Sequence, residues 1–209
     1  MRKLLVAAVA FCAVFLFASC SDFWDDLFGN ITGQATSSIN NGSETEYSSS
    51  IVMKGTNSST PFYVGLAMNM DVKDLMKIEN EDQIVYPIFC YRLTGSNLTS
   101  GATLSVDNVL TEEDLADFRY TDMIGGKFAD SQVVGIAESD TKFYVMSSGT
   151  IKLDKVKKNK ISGSYSGRAY VIDRNAEPML SEEQVTISGT FVSRIVPMMA
   201  WVKRLQANN

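Results

Sequence analysis

From Tyr47 onward, apolar residues recur at every second position, and that period commits this part of the chain to extended strands. In residues 61–70, PFYVGLAMNM, the side chains of Phe62, Val64, Leu66, Met68 and Met70 alternate with Tyr63, Gly65, Ala67 and Asn69. Successive side chains of a strand point to opposite faces, so each of these sets occupies one face. Residues 84–93, IVYPIFCYRL, are apolar on both faces, and Pro87 predicts an edge or a bulge there, because proline cannot donate to a ladder. TLSVDNV, QVVGIAE, KFYVMSS and TIKLDKV read as further short strands, with Gly149 as a turn between the last two. Strands at this spacing with no long helix between them predict an all-β fold. The expected form is an antiparallel sandwich or barrel of about 8–9 strands.

Two of the later strands share a signature. Ile161-Ser162-Gly163-Ser164-Tyr165 and Ile187-Ser188-Gly189-Thr190-Phe191 stand 26 positions apart and both read Ile-Ser-Gly-small-aromatic. On a strand, Ile, Gly and the aromatic share a face and the hydroxyl residues take the other. A glycine on an inner face lets a strand coil, and a neighbouring aromatic fills the space it leaves. The expectation is a strongly curved antiparallel pair joined by residues 174–183, RNAEPMLSEE.

Helical signals are short. Asp71 is placed to cap VKDLMKI, and Thr111 with Asp114 three positions on forms a capping-box pattern before LADF. At the end of the chain, Pro197 suits a first helical position and Met198, Trp201, Val202 and Leu205 make a stripe at helical spacing. This predicts a C-terminal amphipathic helix lying over one end or face of the β domain.

The amino terminus has a different character. Arg2 and Lys3 precede an uncharged run, LLVAAVAFCAVFLFA, over residues 4–18. At ~1.5 Å per residue that run reaches roughly 23 Å, short of the ~30 Å hydrocarbon core, which favours an export signal over a membrane span. Phe17-Ala18-Ser19-Cys20 resembles the lipobox of bacterial lipoproteins, with Phe17 where leucine is usual. The resemblance implies diacylglycerol on Cys20 through a thioether, removal of residues 1–19, and acylation of the new amino group. It covers only the first twenty or so residues. Several acyl chains at ~0.8 kcal/mol per buried CH₂ give stable anchoring where one chain is marginal. The location implied is the bacterial outer membrane, in either leaflet.

After Cys20, SDFWDDLF places Phe23, Trp24, Leu27 and Phe28 opposite three aspartates. Residues 29 to about 46 are rich in Ser, Thr, Asn and Gly, a composition that predicts a flexible tether. The expected organisation is a signal over 1–19, a lipidated end and tether over 20–46, and a single β-rich domain over 47–209.

Without Arg2 and Lys3 the chain has 17 basic and 24 acidic residues, a net charge near −7. That balance opposes binding to nucleic acid, whose phosphates need a basic face. Lys155, Lys157, Lys158 and Lys160 form the one dense basic run, read as a solvated hairpin tip. Cys12 leaves with the signal and Cys20 is consumed by lipid, so Cys90 stands alone, read as a small buried hydrophobe.

The chain contains no histidine. Catalytic triads built on imidazole, and metal sites that need it, are therefore excluded. Adjacent acids such as Glu112, Glu113 and Asp114, or Glu182 and Glu183, point in different directions. A glycosidase needs a pair facing each other across a cleft at roughly 5–9.5 Å. Asp173, Asn175 and Glu177 have the spacing of a calcium loop, but Pro178 stands where glycine is required. No catalytic, metal or cofactor residues are assigned.

Met68, Met70, Met146 and Trp201 are a weak candidate for an apolar pocket, since flexible thioethers adapt to apolar ligands. The functional expectation is a non-catalytic, membrane-anchored lipoprotein whose β domain binds a protein or small ligand at the envelope. A lipocalin-like carrier of an apolar ligand is the alternative, followed by a carboxylate hydrolase or a pilus-like subunit.

Overall fold

The computed structural model describes residues 33–57, 60–71, 84–115, 118–125 and 128–196. They form one mixed sheet of ten strands: β1 Gln34–Ile39, β2 Thr45–Tyr47, β3 Ser49–Asn57, β4 Thr60–Met68, β5 Ile88–Thr94, β6 Thr103–Asp107, β7 Val133–Ala137, β8 Lys142–Val156, β9 Lys160–Asp173 and β10 Val185–Val196. The helices expected over 72–78 and 197–205 lie outside the described residues. Among the described residues, helical structure amounts to two single 3-10 turns, Glu112–Asp114 and Tyr120–Met123. The Thr111 capping pattern is present at the first of them, where the Asp114 carboxylate accepts from the Thr111 amide at 2.7 Å.

Strand pairing runs β10–β3–β4–β5–β7–β8, and β9 then joins β8 back to β10, so the ladder returns to its starting strand. All pairs are antiparallel except β10 with β3. The long strands carry two partners on one edge. β10 gives one stretch to β1 and the next to β3, and β8 passes from β7 to β6. At that second transfer, buried Asn108 donates from Nδ2 to the carbonyls of Gln132 and Met146, both at 3.0 Å. One side-chain amide thus replaces the missing ladder bonds.

The apolar pattern divides the sheet in two. On β4 from Tyr63, on β5, on β7 and on the first half of β8 both faces are buried, so these stretches read as nearly continuous apolar runs, while on β3 both faces are buried only from Ser49 to Val52. Their outward residues at β5, β7 and β8 are covered by buried Leu110, Leu115, Phe118, Met123 and Phe128, from the segment between β6 and β7. Buried Arg92 ties this cover down, donating from Nε to Ala129 O and from Nη1 to Ile124 O, both at 2.8 Å, with its guanidinium 4.5 Å from the Phe62 ring centre. Burial lowers the pKa of Arg92, and the charge of Asp130 acts against that shift. On β9, β10, β1, β6 and the rest of β8 the outer face is polar. Thr36, Thr190, Ser164, Lys152 and Thr103 lie in one cross-strand row, and Ser38, Ser188, Ser166, Thr150 and Ser105 in the next.

Three expectations are corrected. Residues 34–46, placed in a flexible tether, contain β1 and all of β2 but Tyr47, so the folded domain begins before residue 47. The hydroxyl-rich sequence suffices because Ala35 and Ser37 face inward and are buried, while the backbone pairs with β10 residue for residue from 34 to 39. Gly149 is not a turn: β8 runs through it as one 15-residue strand. At φ +151° it faces Gly167, where a β-carbon would fall 2.6 Å from the Gly167 Cα, and the register shifts nearby between Met146 and Ser148. Pro87 marks neither an edge nor a bulge. It immediately precedes β5, which is paired on both sides. The lysine run does sit at the exposed turn between β8 and β9.

Candidate functional site

The inner side of the ring of strands is filled by aromatic side chains. Phe89 stacks on Tyr165 at 5.2 Å between ring centres, Tyr91 lies 4.4 Å from Phe191, and Tyr47 lies 5.9 Å from Phe89. All five are buried. The repeated signature explains the arrangement: Gly163 is paired with Phe191 and Gly189 with Tyr165 across β9 and β10. A β-carbon at Gly163 would stand 2.8 Å from Phe191 Cζ, and one at Gly189 would stand 2.6 Å from Tyr165 Oη. Each ring occupies the volume its partner glycine leaves, as the sequence predicts. Gly65, paired with Tyr91, repeats the device on β4 and β5.

Polar atoms inside are few, and apart from the buried Tyr91 hydroxyl, which has no hydrogen-bond partner among the described residues, they are tied to the wall. The Tyr47 hydroxyl shares a hydrogen bond with Ser37 Oγ at 2.9 Å, Tyr165 donates to Thr36 O at 3.2 Å, and Ser50 and Ser193 pair at 2.6 Å. Burial pushes the Tyr47 phenol up to about 12 against the lowering effect of the Ser37 bond, and burial raises Tyr165 and Tyr91 as well. Cys90 is fully buried on the other face of β5, and burial alone raises its thiol. A nucleophilic thiolate needs the opposite shift.

The expected apolar pocket does not assemble from the methionines. Met146 points inward and fills the space beside Gly149 and Gly167. Met68 lies on the opposite face of the sheet from its inward-facing neighbour Ala67. Met70 lies past the end of β4, where its carbonyl accepts from Ser48 and Ser49. Two thioethers on opposite faces cannot line one space. Trp201 and Cys20 lie outside the described residues.

A cleft of about 210 Å³ opens instead on the outer surface, where four segments distant in sequence meet. The β8–β9 ladder pairs Lys142 with Asp173, which sets Asp140 and Arg174 just beyond the same end of the two strands. Arg174 is held there by its amide donating to Thr141 O at 2.9 Å, and Asn175 Nδ2 donates to Thr141 Oγ1 at 3.1 Å. Arg119 and Tyr120 line the cleft at the start of the second 3-10 turn, where the Arg119 amide donates to Asp122 Oδ2 at 2.7 Å. Ile84 and Tyr86 enter from the segment before β5, and buried Phe143 forms the floor, edge-on to Phe118 at 5.5 Å. The cleft is therefore lined by two arginines, one aspartate and two tyrosines over an apolar base.

Beside it, in the same β7–β8 hairpin, Tyr144 donates to Glu138 Oε2 at 2.7 Å and Lys142 Nζ approaches the same oxygen at 3.1 Å. The Tyr144 bond holds the Glu138 carboxyl below the usual range, and the Glu138 bond raises Lys142. A smaller cavity of about 180 Å³ lies under residues 110–128, among Leu110, Phe118 and Phe128 with Asp114 and Asp122. At the calcium-like spacing, Asp173 Oδ1 accepts from the Asn175 amide at 2.9 Å and so closes a local turn. Among the described residues, no cluster of three or more acidic or cysteine side chains is placed to hold a metal ion.

No family model, curated protein or solved structure matches the chain.

Proposed function

We propose that the protein is a lipid-anchored lipoprotein of the bacterial outer membrane whose β domain binds a partner or ligand on its outer surface and performs no chemistry on it. Phe17-Ala18-Ser19-Cys20 supports the anchor, with Cys20 carrying the lipid. The closed order of strand pairing supports a barrel over a sandwich. The observation that carries the functional reading is the aromatic filling of the interior by Tyr47, Phe89, Tyr91, Tyr165 and Phe191. A carrier of apolar cargo needs that volume open. Recognition then falls to the outside, where the Arg119–Asp140–Arg174 cleft is the most varied polar surface among the described cavities. With no histidine in the chain, and Glu112, Glu113, Glu182 and Glu183 all exposed, the residues supply binding groups in preference to an acid–base pair.

Metabolic labelling with radioactive palmitate tests the anchor. The wild-type chain incorporates label and fractionates with membranes. Cys20→Ala abolishes incorporation. Label retained by Cys20→Ala would refute the anchor.

A further inference from the structure

We infer that the cleft between Asp140, Arg174, Arg119 and the phenols of Tyr86 and Tyr120 binds a neutral saccharide unit; this deepens the binding-module reading and rests on it. The charges select the ligand. Neither the Asp140 carboxylate nor the Arg174 guanidinium forms an ion pair among the described residues, although both line the same space of about 210 Å³. A simple anion entering there meets Asp140, and a simple cation meets Arg174. A hydroxyl group satisfies both, because it donates to a carboxylate and accepts from a guanidinium. Neighbouring hydroxyls on a sugar ring match the two oxygens of a carboxylate and the paired N–H groups of a guanidinium, a geometry that rewards planar, two-point recognition.

The remaining lining suits the rest of such a ring. Tyr86 and Tyr120 are half-buried, so each offers an aromatic body to the C–H face of such a ligand. Phe143 and Ile84 supply the dry base. The volume lies below the roughly 300–1,000 Å³ of sites for drug-sized ligands, which fits one sugar unit, either free or at the end of a longer chain. The frame is anchored by backbone bonds at Thr141–Arg174 and at Arg119–Asp122, so the charged groups are delivered by fixed elements.

The test applies full-length protein to an immobilised panel of neutral gluco-, manno-, galacto- and xylo-oligosaccharides alongside uronate-containing and amino-sugar oligomers, with free amino acids as soluble competitors. Retention on one or more neutral glycans is expected. It falls at least tenfold in Arg174→Gln and in Asp140→Asn, and it is unchanged in Glu138→Gln, which sits on the same hairpin outside the cleft lining. Both cleft variants alter exposed side chains and keep the wild-type thermal midpoint, so loss of retention reports the site. Retention on charged glycans only, competition by amino acids, neutral-glycan retention indifferent to both cleft variants, or no retention would each overturn the saccharide assignment. Palmitate labelling of Cys20 is read separately, so a negative panel with intact labelling removes the ligand class and leaves the anchored-module reading standing.

Discussion

Replacing Gly65 with alanine places a β-carbon 2.1 Å from both Cε1 and Cζ of Tyr91, and its three nearest neighbours are all atoms of that ring. Ordinary contact for a β-carbon begins at 3.4 Å, so the ring must retreat by about 1.3 Å. It has little room, because Tyr91 is fully buried and its ring centre is 4.4 Å from that of Phe191. Overpacking of this kind costs about 1–3 kcal/mol, and 2 kcal/mol lowers the thermal midpoint of a domain this size by about 4–8 °C. The obstacle is a side chain, so it is removable. In a Tyr91→Leu background, Gly65→Ala should cost nothing, or gain about 0.4–1 kcal/mol from the stiffer unfolded chain. Gly163→Ala is the control, because its β-carbon falls 2.3 Å from the Lys152 carbonyl oxygen, and Phe191→Leu does not move backbone. Urea midpoints of the four single and two double variants give both coupling energies. A cost for Gly65→Ala that is the same with Tyr91 and with Leu at position 91, or rescue of Gly163→Ala by Phe191→Leu, would refute the reasoning.

Two further outcomes follow from the buried polar groups. Asn108→Ala strips the donors from the Gln132 and Met146 carbonyls and should cost about 2–3 kcal/mol, read as a lower urea midpoint with an unchanged slope; a change within error would mean that this amide does not bridge the strand transfer. Burial raises the Cys90 thiol and the phenols of Tyr47, Tyr91 and Tyr165, so in alkali the unfolded chain loses protons first. Stability from these groups is complete below about pH 8.5, falls from there through the thiol and from about pH 10 through the phenols, and Cys90→Ala should flatten the first part of that decline in urea midpoints measured from pH 8 to 11. An unchanged decline would place Cys90 in contact with solvent.

The residues that announced themselves in the sequence did so through period and local geometry. Period two located β4, short apolar or alternating runs between turn residues located β5 to β7, and the repeated Ile-Ser-Gly-small-aromatic pattern pointed to the glycine–ring exchange between β9 and β10. Composition misled at residues 34–46. A strand that pairs along β10 draws its hydrogen bonds from the backbone, and Ser and Thr side chains are no obstacle to them. Gly149 misled for a related reason. Glycine breaks a pattern equally well at a turn and where two strands approach closely, and only the register with Gly167 separates these. The methionine grouping failed because Met68 and Met146 lie on opposite faces of the sheet, which residue type alone does not reveal. The cleft was illegible as well. Tyr86, Arg119, Asp140 and Arg174 carry no common spacing, and only the pairing of Lys142 with Asp173 and the cover laid over β5 to β8 bring them together.

The central claim is that the ring of strands is filled by its own aromatic side chains, so that the protein acts from its outer surface. Titration of the native protein with a fluorescent fatty acid tests this most directly. The filled interior predicts no saturable uptake, and emission should rise only in proportion to added probe. Saturation at one probe per chain, abolished by enlarging an inner residue such as Ala169→Phe, would contradict it.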